Sequence, residues 1–147
     1  EEAMAFLEEF NKAIEGIDAV GIFLHNVTIA LPMFIPGAGA AWGAYAAWTT
    51  GVAFNALVKT TPALSQIPPL ALLLITPFGL MELVAYSIGM SRSFLLIKTI
   101  IKKNPIKQEI RPTAIEIGIA IALLIAGGVI EYAMIQQFGS DLNTPQS

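Results

Sequence analysis

Charged residues are missing from the longest apolar stretches of this chain, and their absence limits what it can fold into. No Asp, Glu, Lys or Arg occurs over residues 19–58, and residues 112–140 contain only Glu116 and Glu131. Charged residues are 13% of the 147 positions, about half the roughly 25% of an ordinary soluble domain. A water-exposed fold cannot keep so bare a surface, and the hydrophobic content excludes intrinsic disorder. We therefore expect an integral membrane protein.

The apolar stretches have the length of membrane-spanning helices. Each is about 20 residues long, which crosses a hydrocarbon core of roughly 30 Å. Strands of a barrel would be shorter and would alternate apolar with polar residues, which these stretches do not. The predicted fold is therefore all-α, a polytopic transmembrane helical bundle with about four spans. The spans are placed at about 17–35, 38–58, 69–90 and 114–138.

Three further segments surround the predicted spans. Residues 1–16 predict an amphipathic acidic helix, because apolar residues recur every three or four positions. Residues 139–147 predict a polar tail. A basic loop over 91–112 contains six of the eight basic residues, and the positive-inside rule places such a loop in the cytoplasm. By alternation both ends of the chain then lie outside, and an additional upstream span is the simplest explanation of the acidic start on that side.

The first part of the basic loop has the pattern of an interfacial helix. Over residues 91–103, apolar side chains share one side and cations lie on the others, so we expect contact with anionic lipid headgroups. The cations concerned are Arg92, Lys98, Lys102 and Lys103. The lipid bilayer is thus a predicted partner. Nucleic acid is not, because the chain has neither a soluble basic module nor an aromatic platform.

Polar side chains inside the spans are the candidates for function, because each costs a few kcal/mol in lipid unless it is paired. The candidate intramembrane polar site contains His25, Asn26, Asn55, Glu82 and Glu131. Glu82 lies shortly after Pro77, which frees the carbonyl of Leu73 and kinks the helix, while Thr76 can bond back to it. A carboxylate beside a broken helix is typical of ion and proton sites. Alternatively, a protonated Glu82, or one paired with His25, only holds helices together.

The two carboxylates of the last span have different interpretations. Thr113 and Glu116 have the T-x-x-E spacing of a capping box at a helix start, which needs no functional role. Glu131 follows Gly127 by one turn, where another helix can come close; the alternative is a carboxyl group near the outer headgroups. His25 is the only histidine and cysteine is absent, so one chain cannot provide a multi-His or thiolate metal site. We predict no metal, no cofactor and no catalytic residue.

The second span carries the clearest packing signal. Small residues recur at every fourth position and form one smooth face, which lets two helix backbones approach closely. This small-residue stripe consists of Gly39, Gly43, Ala47 and Gly51. The pattern does not say whether the partner helix belongs to the same chain or to another.

Four motifs together resemble the stage II sporulation protein M family. They are Phe23-Leu24-His25-Asn26, the glycine-rich span ending at Asn55, Pro77-Phe78-Gly79 leading to Glu82-Leu83, and Ala126 through Glu131-Tyr132. The resemblance covers about residues 20–135 and implies a membrane protein with about five spans. The family commonly has an Asn pair at His25-Asn26 and a His at Phe78, so any role of that His cannot be transferred. The named member belongs to a cell-wall-degrading membrane complex of engulfment, which assigns no activity to its relatives.

Two functions stay open. The first is a non-enzymatic membrane scaffold that self-associates as a homo-oligomer or binds other membrane proteins. The alternative is an ion or small-solute transporter or channel that uses Glu82, Glu131, His25 and Asn55 around the Pro77 kink. An intramembrane hydrolase or metalloenzyme ranks last, because the chain lacks a nucleophile–base motif and an adequate ligand set.

Overall fold

The computed structural model describes residues 18–60 and 68–142, and each regular element within those ranges is a helix. The elements are α1 (Ala19–Ala30), a 3₁₀ segment (Leu31–Phe34), α2 (Gly39–Thr60), α3 (Pro69–Ile75), α4 (Pro77–Ile101) and α5 (Lys107–Leu142). The all-α prediction is confirmed for these ranges. The predicted amphipathic helix over 1–16 lies outside the described residues.

Two helices of the described ranges are long and apolar enough to cross a membrane, Pro77–Ile101 and Lys107–Gln137. The segment Ala19–Phe34 is apolar but shorter. A helical bundle with two membrane-length helices is thus supported, which is fewer than the four spans expected from the sequence.

The turn between α1 and α2 follows from local sequence. Asp18 caps α1, because its Oδ1 accepts a hydrogen bond of 2.8 Å from the amide of Gly21. Pro32 begins the 3₁₀ segment that ends the helix, and Gly37 takes a φ of +80°, which glycine adopts without steric cost. The indole of Trp42 then donates a 2.8 Å hydrogen bond to the carbonyl of Ile29. The predicted break at this position is confirmed.

The core lies where α1 and the 3₁₀ segment pack against the hairpin of α4 and α5. These two long helices form the most extensive helix pair of the described chain. The buried core consists of Ala30, Phe34, Ala85, Ala120 and Leu124. Ala85 is completely buried, so the small side chain allows the neighbouring helices to come close. Helix α2 packs mainly on α4, beside this core.

The third predicted span begins at Pro69 as expected, but it differs from the structure at Thr76 and at its end. Instead of a kinked helix over 69–90, the chain leaves the helical conformation at Thr76, with φ −83° and ψ 133°. Pro77 then occupies the first turn of α4, where its missing amide has no partner in any case. Helix α4 continues to Ile101, well beyond the predicted end.

The predicted loop over 91–112 is largely helical as well. Only residues 102–106 separate α4 from α5, and α5 begins at Lys107 rather than near 114. Pro112 lies inside the helix, so Thr113 and Glu116 do not form a capping box. The helix also continues through Leu142, four residues into the predicted tail, and residues 143–147 lie outside the described residues.

Candidate functional site

The intramembrane candidates Asn26 and Glu82 are in direct contact. The side-chain amide Nδ2 of Asn26, on α1, donates a 2.7 Å hydrogen bond to Oε1 of Glu82, on α4. The hydroxyl of Tyr86, one turn further along α4, lies 3.5 Å from Oδ1 of Asn26, a long hydrogen bond. Asn26 is buried and is 6% exposed. The amide therefore joins two polar groups of α4 to α1 in the interior.

Glu131, on α5, is the next polar residue of this region. Its carboxylate is close enough to Glu82 and Tyr86 for its charge to act on both. We call Asn26, Glu82, Tyr86 and Glu131 the polar cluster. The cluster places two carboxylates, an amide and a phenol in one region of the interior, and the hydrogen bonds within it join Asn26 to Glu82 and Tyr86.

Two adjacent glycines of α5, one turn before Glu131, lie where the helix packs on α1 and α4. A Cβ atom on Gly128 would lie 3.4 Å from both the carbonyl oxygen of Ala19 and the amide nitrogen of Phe23. A Cβ on Gly127 would lie 3.7 Å from the carbonyl oxygen of Phe78. One glycine therefore faces α1 and the other faces the start of α4. Gly127 is packed against α4 as expected, but at distances that a Cβ atom would tolerate.

The break before α4 is stabilised by its own side chains. The hydroxyl of Thr76 donates a 3.3 Å hydrogen bond to the carbonyl of Leu73, which Pro77 leaves without an amide. This hydrogen bond confirms the one predicted from the sequence. A Cβ on Gly79 would collide with that same carbonyl oxygen and would lie 2.7 Å from the Thr76 hydroxyl. Gly79 is therefore required for α3 and α4 to meet at this angle.

His25 and Asn55 are not part of the polar cluster. His25 is exposed, and its backbone carbonyl accepts a 2.7 Å hydrogen bond from Thr28. Asn55 is exposed on α2, and no hydrogen bond within 18–60 and 68–142 joins it to the cluster. The expected pairing of His25 with Glu82 is wrong, because the neighbouring residue Asn26 occupies that position.

Arg92 forms a second buried group that the sequence did not indicate. Its Nε donates to Oε2 of Glu116 at 2.6 Å and its Nη2 donates to the other oxygen of that carboxylate. Its Nη1 donates to Oε2 of Glu109 at 2.9 Å, and Thr99 donates to Oε1 of Glu109 at 3.3 Å. All four carboxylate oxygens are therefore occupied. The arginine side chain is only 6% exposed.

This network corrects two expectations. Arg92 does not contact lipid headgroups, because it is buried between α4 and α5 and its guanidinium is already bound by two carboxylates. Glu116 is not a helix cap but the partner of Arg92. The other three predicted headgroup residues are exposed, and they are Lys98, Lys102 and Lys103. The i, i+3 pattern of the segment could not show that one cation turns inward.

Ser93 is a further buried polar residue that sequence analysis missed. Its hydroxyl donates a 2.5 Å hydrogen bond to the carbonyl of Ile35. It also accepts 3.1 Å hydrogen bonds from the amides of Gly37 and Gly39. One side chain of α4 therefore bonds to three backbone groups in the turn before α2, two of which, the Ile35 carbonyl and the Gly39 amide, are also bonded to each other. The only signal for this was the proline and glycine content of the turn, which leaves backbone groups in need of partners.

The small-residue stripe of α2 is divided between two environments. A Cβ on Gly39 would collide with the carbonyl of Met33 and would lie 2.6 Å from Cβ of Ser93, and a Cβ on Gly43 would collide with the side chain of Met90. The first half is therefore used inside the chain. Ala47 and Gly51 are exposed, and no atom of the described residues lies within 4 Å of a Cβ placed on Gly51. Within the described ranges, only the second half is free.

One exposed aromatic row accompanies these sites. Trp42, Tyr45 and Trp48 form a row on α2, with ring centroids 5.6 and 6.2 Å apart. Within 18–60 and 68–142, no three His, Cys, Asp or Glu residues are grouped so that they could hold a metal ion.

Comparison with family models, with curated proteins and with solved structures finds no match.

Proposed function

We propose that the chain is a multi-pass membrane protein whose bundle acts as a non-enzymatic scaffold and self-associates through α2. The bilayer placement is supported by the outward-facing side chains of the two membrane-length helices. Val84 on α4, and Ile115 and Val129 on α5, are 50%, 52% and 55% exposed. Contiguous apolar surface of this kind is stable against acyl chains and not against water. The resemblance to the sporulation protein M family points to the same class of protein.

The topology belongs to the same proposal. The two remaining spans are the apolar segments at 17–35 and 38–58, with α3 and α4 forming one broken crossing. The turn at 102–106 and the helix ends beside it carry five exposed cations, and this end of the hairpin faces the cytoplasm by the positive-inside rule. Both ends of this chain then lie outside.

One observation carries the self-association, and it is the division of the small-residue stripe. Gly39 and Gly43 are used in packing α2 on the chain, whereas Ala47 and Gly51 continue the same face with no neighbour near Gly51 among the described residues. A small face of this kind allows close backbone contact between helices in lipid, where van der Waals packing drives association. The occupant that we propose is α2 of a second copy.

The test compares two glycines that have the same surroundings within the chain. Gly118 on α5 resembles Gly51, because a Cβ placed on either glycine has no atom of the described residues within 4 Å. We expect Gly51→Leu to convert an oligomer to monomer in detergent, measured by light scattering after size exclusion, and Gly118→Leu to leave it unchanged. A monomeric parent protein, or an oligomer that survives Gly51→Leu, contradicts the scaffold.

The polar cluster favours a second function, passage of a proton or small cation. Its support is the direct Asn26–Glu82 hydrogen bond with Glu131 close by, because two carboxylates in a membrane interior need a proton or a cation between them. In reconstituted vesicles we expect Glu82→Gln to abolish proton or alkali-cation flux while the protein stays folded. Flux that persists in Glu82→Gln, or no flux in the parent protein, contradicts this function.

A further inference from the structure

The turn between α4 and α5 has an excess of exposed positive charge, because its exposed cations outnumber the carboxylates of 91–116 and both of those carboxylates are bound by Arg92. Glu109 is the only acidic residue over 91–115. Both oxygens of Glu109 and both oxygens of Glu116 already accept hydrogen bonds from Arg92 or Thr99. The cations at this end of the hairpin are all exposed, and they are Lys98, Lys102, Lys103, Lys107 and Arg111. Their charge is therefore left for a ligand outside the chain.

Lys103 is held in a backbone conformation that disfavours a lysine. It follows the end of α4 with a φ of +55°, and it is the only non-glycine residue with positive φ in the described ranges. The amides of Lys103 and Asn104 donate to the carbonyls of Ile100 and Thr99, as in a Schellman motif, whose left-handed position is usually glycine. A lysine here costs stability relative to glycine. The geometry of the turn therefore does not explain why a lysine occupies position 103.

An apolar groove of about 330 Å³ begins beside this turn, between α4 and α5. Its walls include Leu96, Ile106, Ile110 and Ile117. Thr113 also lines the groove, and its Oγ1 is buried with no hydrogen-bond partner among the described residues. Ile110 is 63% exposed. The groove is thus mainly apolar, and Glu109 is also in its lining, with its two oxygens bonded to Arg92 and Thr99. The exposed lysines of the turn lie at its Ile106 end and form its basic rim.

We propose that this groove and its rim bind one anionic phospholipid. One acyl chain lies along Leu96, Ile106, Ile110 and Ile117, and the phosphate is bound by Lys102, Lys103 and Lys107. The charge complementarity selects an anionic headgroup, because a zwitterionic one has no net charge to balance the rim. The assignment rests on the proposed bilayer placement and is independent of self-association.

The experiment measures phospholipid binding to the detergent-purified full chain by native mass spectrometry, with phosphatidylglycerol and phosphatidylcholine of identical acyl chains. We expect the parent protein to retain phosphatidylglycerol preferentially. Lys103→Gly removes one cation and relieves the positive φ, so it should weaken phosphatidylglycerol binding about fivefold and at the same time raise the unfolding temperature. Opposite changes in binding and stability are not expected of a lysine with only a structural role.

A second variant tests the groove separately from the charge. Ala114 is exposed and lines the groove, so Ala114→Trp should fill it and reduce phosphatidylglycerol binding at least as much. Two matched controls should bind phosphatidylglycerol like the parent protein. Ala122→Trp changes an exposed alanine of the same helix outside the groove. Lys59→Gln removes one exposed cation from α2.

The outcomes separate this site from the bilayer placement on which it rests. Equal retention of the two lipids, or unchanged binding in both Lys103→Gly and Ala114→Trp, overturns the phospholipid site while the protein is still recovered in membranes. Recovery of the protein from cells as a soluble species overturns the placement itself. Free glycerol phosphate competing as well as the whole lipid would show that the groove takes no acyl chain, and it would overturn the site as proposed.

Discussion

Asn26 and Glu82 are 56 positions apart in the chain, yet the amide of one donates a 2.7 Å hydrogen bond to the carboxylate of the other. The contact joins α1 to α4 beside Ala30 and Ala85, two core alanines that leave room for it. His25, the preceding residue, lies on the exposed side of the same helix. Two adjacent residues of α1 therefore lie in different environments. Asn26 belongs to the buried polar cluster, and His25 lies at the surface.

We expect Asn26→Leu to destabilise the protein and His25→Leu to leave its stability unchanged. Leucine at position 26 removes the donor to Glu82 and the acceptor near Tyr86, at a cost of about 1–2 kcal/mol. The measurement is thermal unfolding in detergent followed by circular dichroism. A larger effect from His25→Leu than from Asn26→Leu would mean that the helix is rotated relative to the described structure.

Arg92→Met should be more damaging than any exposed cation substitution on α4. The change leaves Glu109 and Glu116 without their shared partner, and breaking a buried ion pair from one side costs about 3 kcal/mol. Lys98→Met, an exposed position of the same helix, is the control and should shift the unfolding temperature little. Adding Glu116→Met to Arg92→Met should restore part of the loss, and a further loss instead would contradict the pairing.

Ser93→Ala should loosen the turn before α2. Alanine removes the acceptor of the Gly37 amide, whereas the Ile35 carbonyl and the Gly39 amide keep their backbone hydrogen bond to each other. Leaving the Gly37 amide unsatisfied costs about 1–3 kcal/mol. Amide hydrogen exchange over 35–39 should accelerate. Ser91→Ala, at an exposed position two residues earlier, should change neither exchange nor stability, and equal effects of the two would remove Ser93 as the stabilising residue.

The two halves of the small-residue stripe should respond differently to the same substitution. Gly43→Leu places a side chain against Met90, and overpacking of this kind costs about 1–3 kcal/mol. Gly51→Leu meets open space within the described chain and improves helix propensity, so its unfolding temperature should not fall. The measurement is thermal unfolding of both variants at a protein concentration that keeps them monomeric. An unfolding temperature of Gly43→Leu equal to that of the parent protein would contradict the packing of α2 on α4.

Much of the fold was accessible from composition and from proline and glycine positions. The break at Pro32–Gly37 and the disruption at Pro77 follow from local backbone chemistry, which needs no knowledge of distant residues. Asn26 and Glu82 could be singled out because polar groups in apolar stretches need partners. Their pairing could not be predicted, because several polar residues could have met and only the rotation of α1 decides between His25 and Asn26.

The prediction for residues 91–116 is wrong because the charged residues of this segment pair with partners far along the sequence. A cluster of cations with Pro112 and a T-x-x-E spacing predicts a loop and a helix start. In the structure both helices continue into it, because Arg92 turns inward to Glu109 and Glu116 and offsets the disruption by Pro112. Local propensity is a weak guide where a buried ion pair joins two helices.

The most direct test of the scaffold is cross-linking between copies in the membrane, and the chain is suited to it because it contains no cysteine. Gly51→Cys and Gly118→Cys each introduce a single thiol at an open glycine, and a disulfide between copies requires the two Cα atoms to be within about 7 Å. Under mild oxidation in native membranes we expect a covalent dimer of Gly51→Cys and monomer for Gly118→Cys. Monomer at Gly51→Cys, or equal dimer in both variants, would contradict self-association through the free half of the stripe.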